Sequence, residues 1–90
     1  HYAPLARVRM VATADDARPG PDAAYIGLDA PPDGFALAVV CPSVADYAHR
    51  LFETFRRADA LGLGRIEAQR VADDGLGTAL LDRLRRAAEG

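Results

Sequence analysis

The residues with the most obvious capacity for chemistry are Asp73-Asp74-Gly75-Leu76-Gly77-Thr78. They follow a stretch patterned as a strand and open one patterned as a helix, the place where glycine loops offer backbone N–H groups to a phosphate. Gly75, Gly77 and Thr78 are therefore the candidate anion-binding loop. The dinucleotide fingerprint is incomplete, because its third small position falls on Leu80 and the chain ends before an acid about twenty residues on could grip a ribose. Asp73 and Asp74 would also repel a phosphate, so the pattern favours an ordinary strand-to-helix turn.

Cys41 ends an apolar run just before Pro42 and Ser43, near a helix N-terminus that could lower a thiol pKa. A nucleophile needs a base. His49 falls on the solvent side of that helix and His1 on an unanchored terminus, so the spacing favours a small core residue. Two histidines and one cysteine without close spacing give no zinc signature, and no carboxylate pair is spaced for acid-base work. Arg50, Arg56 and Arg57 on one helix, with Arg83, Arg85 and Arg86 on another, could face RNA or an acidic partner. Acids four residues before three of them, in Asp46–Arg50, Glu53–Arg57 and Asp82–Arg86, read instead as solvated helix faces.

The elements that must position these groups follow from periodicity. Leu5 to Thr13 sets Val8, Met10 and Ala12 against Arg7, Arg9 and Val11, a half-buried strand with its polar face outward. Asp15 to Asp22, with its acids, prolines and glycine, reads as a solvent loop, and Ala24 to Leu28 as a short strand. Pro31 to Gly34 turns the chain into Phe35–Cys41, apolar throughout and so expected to be covered on both faces. Ser43 and Asp46 form the capping-box pattern of a helix. This helix buries Val44, Tyr47, Ala48, Leu51, Phe55 and Ala58, has Phe52 at its edge, and stops near Leu61 before Gly62 and Gly64. Arg65 to Val71 alternates Ile66 and Ala68 with Glu67 and Gln69, a strand parallel to the one before the helix. A last helix to about Glu89 turns Leu76, Leu80, Leu84 and Ala87 inward. The result is a small Rossmann-like three-layer α/β domain of order β-β-β-α-β-α, with a four-stranded, mostly parallel sheet.

Composition bounds the function. In 90 residues, 19 of the 45 hydrophobic positions are alanine, which leaves a thin core. A net charge of -2 argues against general nucleic-acid or anionic-membrane binding. One cysteine excludes an internal disulfide and fits a reducing cytoplasm; no apolar run is long enough for a membrane span. The chain opens on His1, which reads as part of a longer polypeptide.

Three segments in order carry a resemblance: His1-Tyr2-Ala3-Pro4, Arg57-Ala58-Asp59, and the run from Gly75-Leu76-Gly77-Thr78-Ala79-Leu80-Leu81-Asp82-Arg83-Leu84 to Ala88. Together they are similar to the C-terminal domain of two-domain L-threonylcarbamoyladenylate synthases. There a YrdC-like catalytic domain is followed by a linker ending in His-Tyr-Ser/Ala-Pro and then by a small Rossmann-like domain. The resemblance implies a parent enzyme that makes threonylcarbamoyl-AMP from threonine, bicarbonate and ATP, for threonylcarbamoyladenosine modification of tRNA. It assigns residues 1–4 to the end of the linker and 5–90 to a non-catalytic accessory domain. His1 and Tyr2 would then lie nearest substrate or nucleotide in the parent.

ATP, with magnesium as an open question beside it, is the catalytic domain's, and this segment needs no cofactor. The implied partner is its own catalytic domain, without tRNA contact or membrane, and a homodimer stays open. Leu81 stands where the family often has asparagine, which weakens any polar role for the last helix. The alternative from the residues alone is a stand-alone nucleotide-binding or protein-interaction module.

Overall fold

The computed structural model describes residues 3–89. Four strands, β1 (Arg7–Val11), β2 (Gly20–Gly27), β3 (Phe35–Val40) and β4 (Arg65–Gln69), and two α-helices, α1 (Val44–Ala60) and α2 (Leu76–Glu89), follow one another in the expected order β-β-β-α-β-α. The sheet runs β1-β4-β2-β3, and every neighbouring pair is parallel. The long β3-α1-β4 crossover is the kind a parallel sheet needs. The other two crossings are short segments without an α-helix, residues 12–19, with one 3-10 turn over Ala14–Asp16, and residues 28–34.

Both helices lie on one face of the sheet. Tyr47, Leu51 and Phe55 of α1 and Leu80 and Leu84 of α2 share one core with Val8, Ile26, Val39 and Ile66. Ser43 starts α1 as expected, its Oγ accepting the Asp46 N–H at 3.1 Å. The other half of the capping box is not used, since the Asp46 carboxylate turns to Arg50 at 3.3 Å. Gly62 ends α1 at φ +71, a conformation that L side chains rarely adopt.

The opposite face is covered by the two short crossings, so the third layer consists of loops. Ala14 and Ala17 pack with Val11 and Tyr25, and Phe35 lies against Tyr25 at a centroid distance of 5.6 Å. This cover overturns several expectations. Residues 20–22 belong to β2 and not to a solvent loop. Glu67 and Gln69, which alternate with Ile66 and Ala68 along their strand, are 0% and 7% exposed, and Val11, expected on the outward face of its own strand, is buried beside them. The apolar β3 is an edge strand whose Ala36, Ala38 and Val40 face solvent, because neither crossing reaches that far. Leu76, expected inward, is 60% exposed at the start of α2, while Leu81 is buried.

At the carboxyl ends of the central strands the two faces are locked together. The Gln69 amide oxygen accepts the N–H groups of Leu28 at 2.7 Å and Asp29 at 3.1 Å, and its Nε2 donates to the Asp29 carboxylate at 2.8 Å. Tyr25 Oη donates to the Asp29 carbonyl at 2.6 Å. From the helix face, Tyr47 Oη donates to the Gln69 carbonyl at 2.8 Å. Gly27 sits in the middle of this knot, where a Cβ would lie 2.2 Å from Tyr25 Oη and 2.7 Å from Gln69 Oε1. Gly27→Ala is therefore expected to cost about 2 to 4 kcal/mol, from overpacking plus displaced hydrogen bonds. Urea unfolding of the two chains measures it, and a loss below about 1 kcal/mol would show that the knot yields easily.

Candidate functional site

Asp59, on the last turn of α1, is the residue that meets the incoming chain. Its Oδ1 and Oδ2 each lie 3.1 Å from the Leu5 N–H, and Oδ1 also accepts the Ala6 N–H at 3.2 Å. A carboxylate there binds two backbone donors that precede β1 and have no strand partner on that side, a charge-assisted contact stronger than a neutral one. The Leu5 side chain is 94% exposed at the same place. Alongside runs an open groove of about 670 Å³ along the free edge of β1, with walls that include Pro4, Leu5, Arg7, Arg9, Ala88 and Glu89. Nothing in the sequence pattern marked Asp59 except its place in the Arg57-Ala58-Asp59 segment.

Glu67 is the second group that the sequence did not single out. Its carboxylate is fully buried in β4, accepts the Arg18 N–H at 2.8 Å, and pairs with Arg9 from β1 through Oε1. Arg65 Nη1 lies 3.1 Å from Oε2, an ion pair without hydrogen-bond alignment, and donates to the Arg18 carbonyl at 2.7 Å. Three guanidinium and amide partners from β1, β4 and residues 12–19 thus converge on one charge. The signal available in the sequence was Arg9, which lies on the same face of its strand as Val11 and needs a counter-charge if that face of the sheet is covered.

The candidate anion loop folds as a tight turn. Gly75 has φ +52, and the Gly77 N–H donates to the Asp74 carbonyl at 2.8 Å. The Thr78 N–H is directed at the Gly75 carbonyl at 3.2 Å, and the Thr78 hydroxyl donates to the Asp73 carboxylate at 2.8 Å. The glycine at 77 has a packing reason as well, because a Cβ there would lie 2.0 Å from the Ala72 carbonyl oxygen. The structure brings Gly75, Gly77 and Thr78 together, with those donors directed to groups within the turn. His1 and Tyr2 lie outside the described residues.

Cys41 is buried, and burial pushes its thiol up, with Arg50 opposing the shift and Asp46 adding to it. A raised thiol is a poor nucleophile. On the helix surfaces, Asp46–Arg50 and Asp82–Arg86 pair as the spacing predicts, but Glu53 pairs with Arg56 at 3.0 Å and not with Arg57. Among the described residues no three His, Cys, Asp or Glu side chains cluster to hold a metal ion, and no helix is long and apolar enough to cross a membrane. The arrangement is suited to holding chain segments in place.

The Tyr25 phenol is pushed up to about 12, by burial first and then by the charges of Asp29 and Cys41. Tyr47 is raised too, by burial and then by Tyr25 and Cys41. Both phenols therefore stay protonated as the donors the strand ends require.

A family model described as threonylcarbamoyl-AMP synthase, C-terminal domain, matches residues 1–89. No curated protein and no solved structure matches the chain.

The folded chain holds the tyrosine protons more tightly than the unfolded chain, whose phenols titrate near about 10. This contribution to stability is fully present below about pH 10 and is lost as pH rises toward about 12. The thermal midpoint is expected to stay level to about pH 9.5 and then fall, and in a Tyr2→Phe chain, which keeps only Tyr25 and Tyr47, phenolate absorbance at about 295 nm is expected to appear together with unfolding. Ionisation of both Tyr25 and Tyr47 in that chain while it keeps its circular dichroism would contradict this.

Proposed function

Because the chain belongs to the family of threonylcarbamoyl-AMP synthase C-terminal domains, we propose that it is a non-catalytic accessory domain that fixes where the preceding linker meets the sheet. The family places the chain in threonylcarbamoyl biosynthesis and tRNA modification. The observation that carries the accessory role is the Asp59 carboxylate, which binds the Leu5 and Ala6 N–H groups and so ties the start of β1 to the end of α1. A linker ending at residue 4 leaves the domain from a fixed point and direction. Its upstream residues, His1 and Tyr2 among them, then reach the catalytic domain from a restricted set of positions, and the domain's partner is that catalytic domain.

Threonine, bicarbonate and ATP, with any magnesium, are handled in the catalytic domain, in the cytoplasm where tRNA is modified. Two features support leaving nucleotide out of this domain. The donors of residues 77 and 78 are directed to groups within their own turn. The carboxyl ends of the strands and the segments that follow carry Asp29, Asp46, Asp73 and Asp74, charges that oppose a phosphate.

The full-length synthase carrying Asp59→Ala tests the accessory role. Loss of the clasp is expected to slow threonylcarbamoyl-AMP formation by about tenfold, a change equivalent to about 1.4 kcal/mol, while Asp59→Glu retains most of the rate. Unchanged turnover both in Asp59→Ala and after deletion of residues 5–90 would refute it. Calorimetry of this chain with ATP, AMP and threonine is expected to show no binding tighter than about 1 mM. A tighter nucleotide would favour a binding module instead.

A further inference from the structure

The two rims of the sheet are guarded differently. At β1, Arg7 and Arg9 flank the edge, α2 packs alongside, and Asp59 already occupies the Ala6 N–H. At β3 the six residues Phe35–Val40 include no charge and no proline. Charges and prolines are the usual means of keeping an edge strand from pairing with another chain.

The direction of the free groups can be read from the ladder. In a parallel pair each residue turns its N–H and its C=O to the same side, and successive residues alternate. The Cys41 N–H donates to the Gly27 carbonyl at 2.8 Å, so Cys41, Val39 and Leu37 turn toward β2. Ala36, Ala38 and Val40 therefore turn their N–H and C=O groups away from the sheet. Their side chains are exposed as well, Val40 at 43%, on the face where β2 is covered and β3 is not.

We propose that β3 pairs with β3 of a second copy of this chain, antiparallel about a two-fold axis through Ala38, to form one continuous eight-stranded sheet. The outward groups are symmetric about that residue. Ala38 faces Ala38, and Ala36 faces Val40 on either side, each pair exchanging both of its N–H···O bonds, so that every outward group of these three residues is used. What makes β3 fit itself is that the side chains paired by this register, Ala38 with Ala38 and Ala36 with Val40, are small and uncharged on both strands, and an isologous two-fold contact is the commonest way for identical chains to associate. The side chains that meet are small and apolar, and no like charges oppose one another. β1 paired with itself would bring its arginines together. Nothing in the accessory role depends on this contact.

Sedimentation equilibrium of the full-length chain between about 10 µM and about 1 mM tests it. The expected result is a monomer–dimer equilibrium whose mean mass approaches twice that of the chain. Ala38→Pro removes the central outward N–H, which β2 does not use, and Ala38→Lys places two ammonium groups across the axis. Each is expected to weaken association at least about tenfold with unchanged circular dichroism, whereas Arg7→Ala on the other rim leaves it intact. If the proline variant fails to fold, the lysine variant decides, because Ala38 is exposed. A monomer at all concentrations, or a dimer that Ala38→Lys leaves untouched, overturns the proposal. So does a monomer in which the amides of Ala36, Ala38 and Val40 resist hydrogen exchange, since another part of the same polypeptide would then cover the rim.

Discussion

One buried charge determines how this small sheet can be crossed. A parallel sheet normally covers both faces with helices, but the described residues form two α-helices, and both pack on the same side. The other face must be closed by residues 12–19 and 28–34, and the first of these has little apolar surface beyond Ala14 and Ala17. Glu67 supplies the attachment that burial alone does not. It receives the Arg18 N–H of the crossing and the Arg9 guanidinium of β1, while Arg65 bridges back to the Arg18 carbonyl. Removing one member of such a set leaves an uncompensated charge in a dry place, which costs more than the set contributes when intact.

The second face shows how polar residues can serve as packing. Across it, Arg9, Glu67 and Tyr25 lie in register on β1, β4 and β2, and Val11 lies in register with Gln69 on β1 and β4. Each buried polar group there has partners on the crossings as well as on the strands, so the loops are fastened by direction-specific bonds. The helix face is held by shape, with Ile66, Leu80, Leu84 and Phe55 almost without exposure. A thin, alanine-rich core is thus supplemented by a hydrogen-bonded layer.

What the sequence disclosed and what it concealed divide along the same line. Helix periods and the Ser43 cap were legible because α1 and α2 each bury one stripe. The burial of Glu67 and Gln69 was not legible because alternation shows only that two faces differ, and a face buried by loops leaves no second helical pattern to warn of it. Phe35–Val40 was misread for the opposite reason, since alanine is as common on a covered face as on an exposed one. At the candidate site, Asp59 sat in a segment that signalled only a helix end; its role depends on Leu5 and Ala6, more than fifty residues earlier.

The helix-free crossing between β2 and β3 also bears on how the fold is assembled. Residues 28–34 close a parallel pair whose partners, such as Ala24 and Leu37, are near one another along the chain. Short loops lose little entropy on closure, whereas joining β1 to β4 brings together residues as distant as Val8 and Ile66. Contacts between distant residues are the ones that slow folding. The β2–β3 pair, with Tyr25 bonded to Asp29 in the segment that joins it, is the most local strand pairing in the sheet. Loop closure thus favours β2 with β3 first, then the addition of β4, and last of all β1.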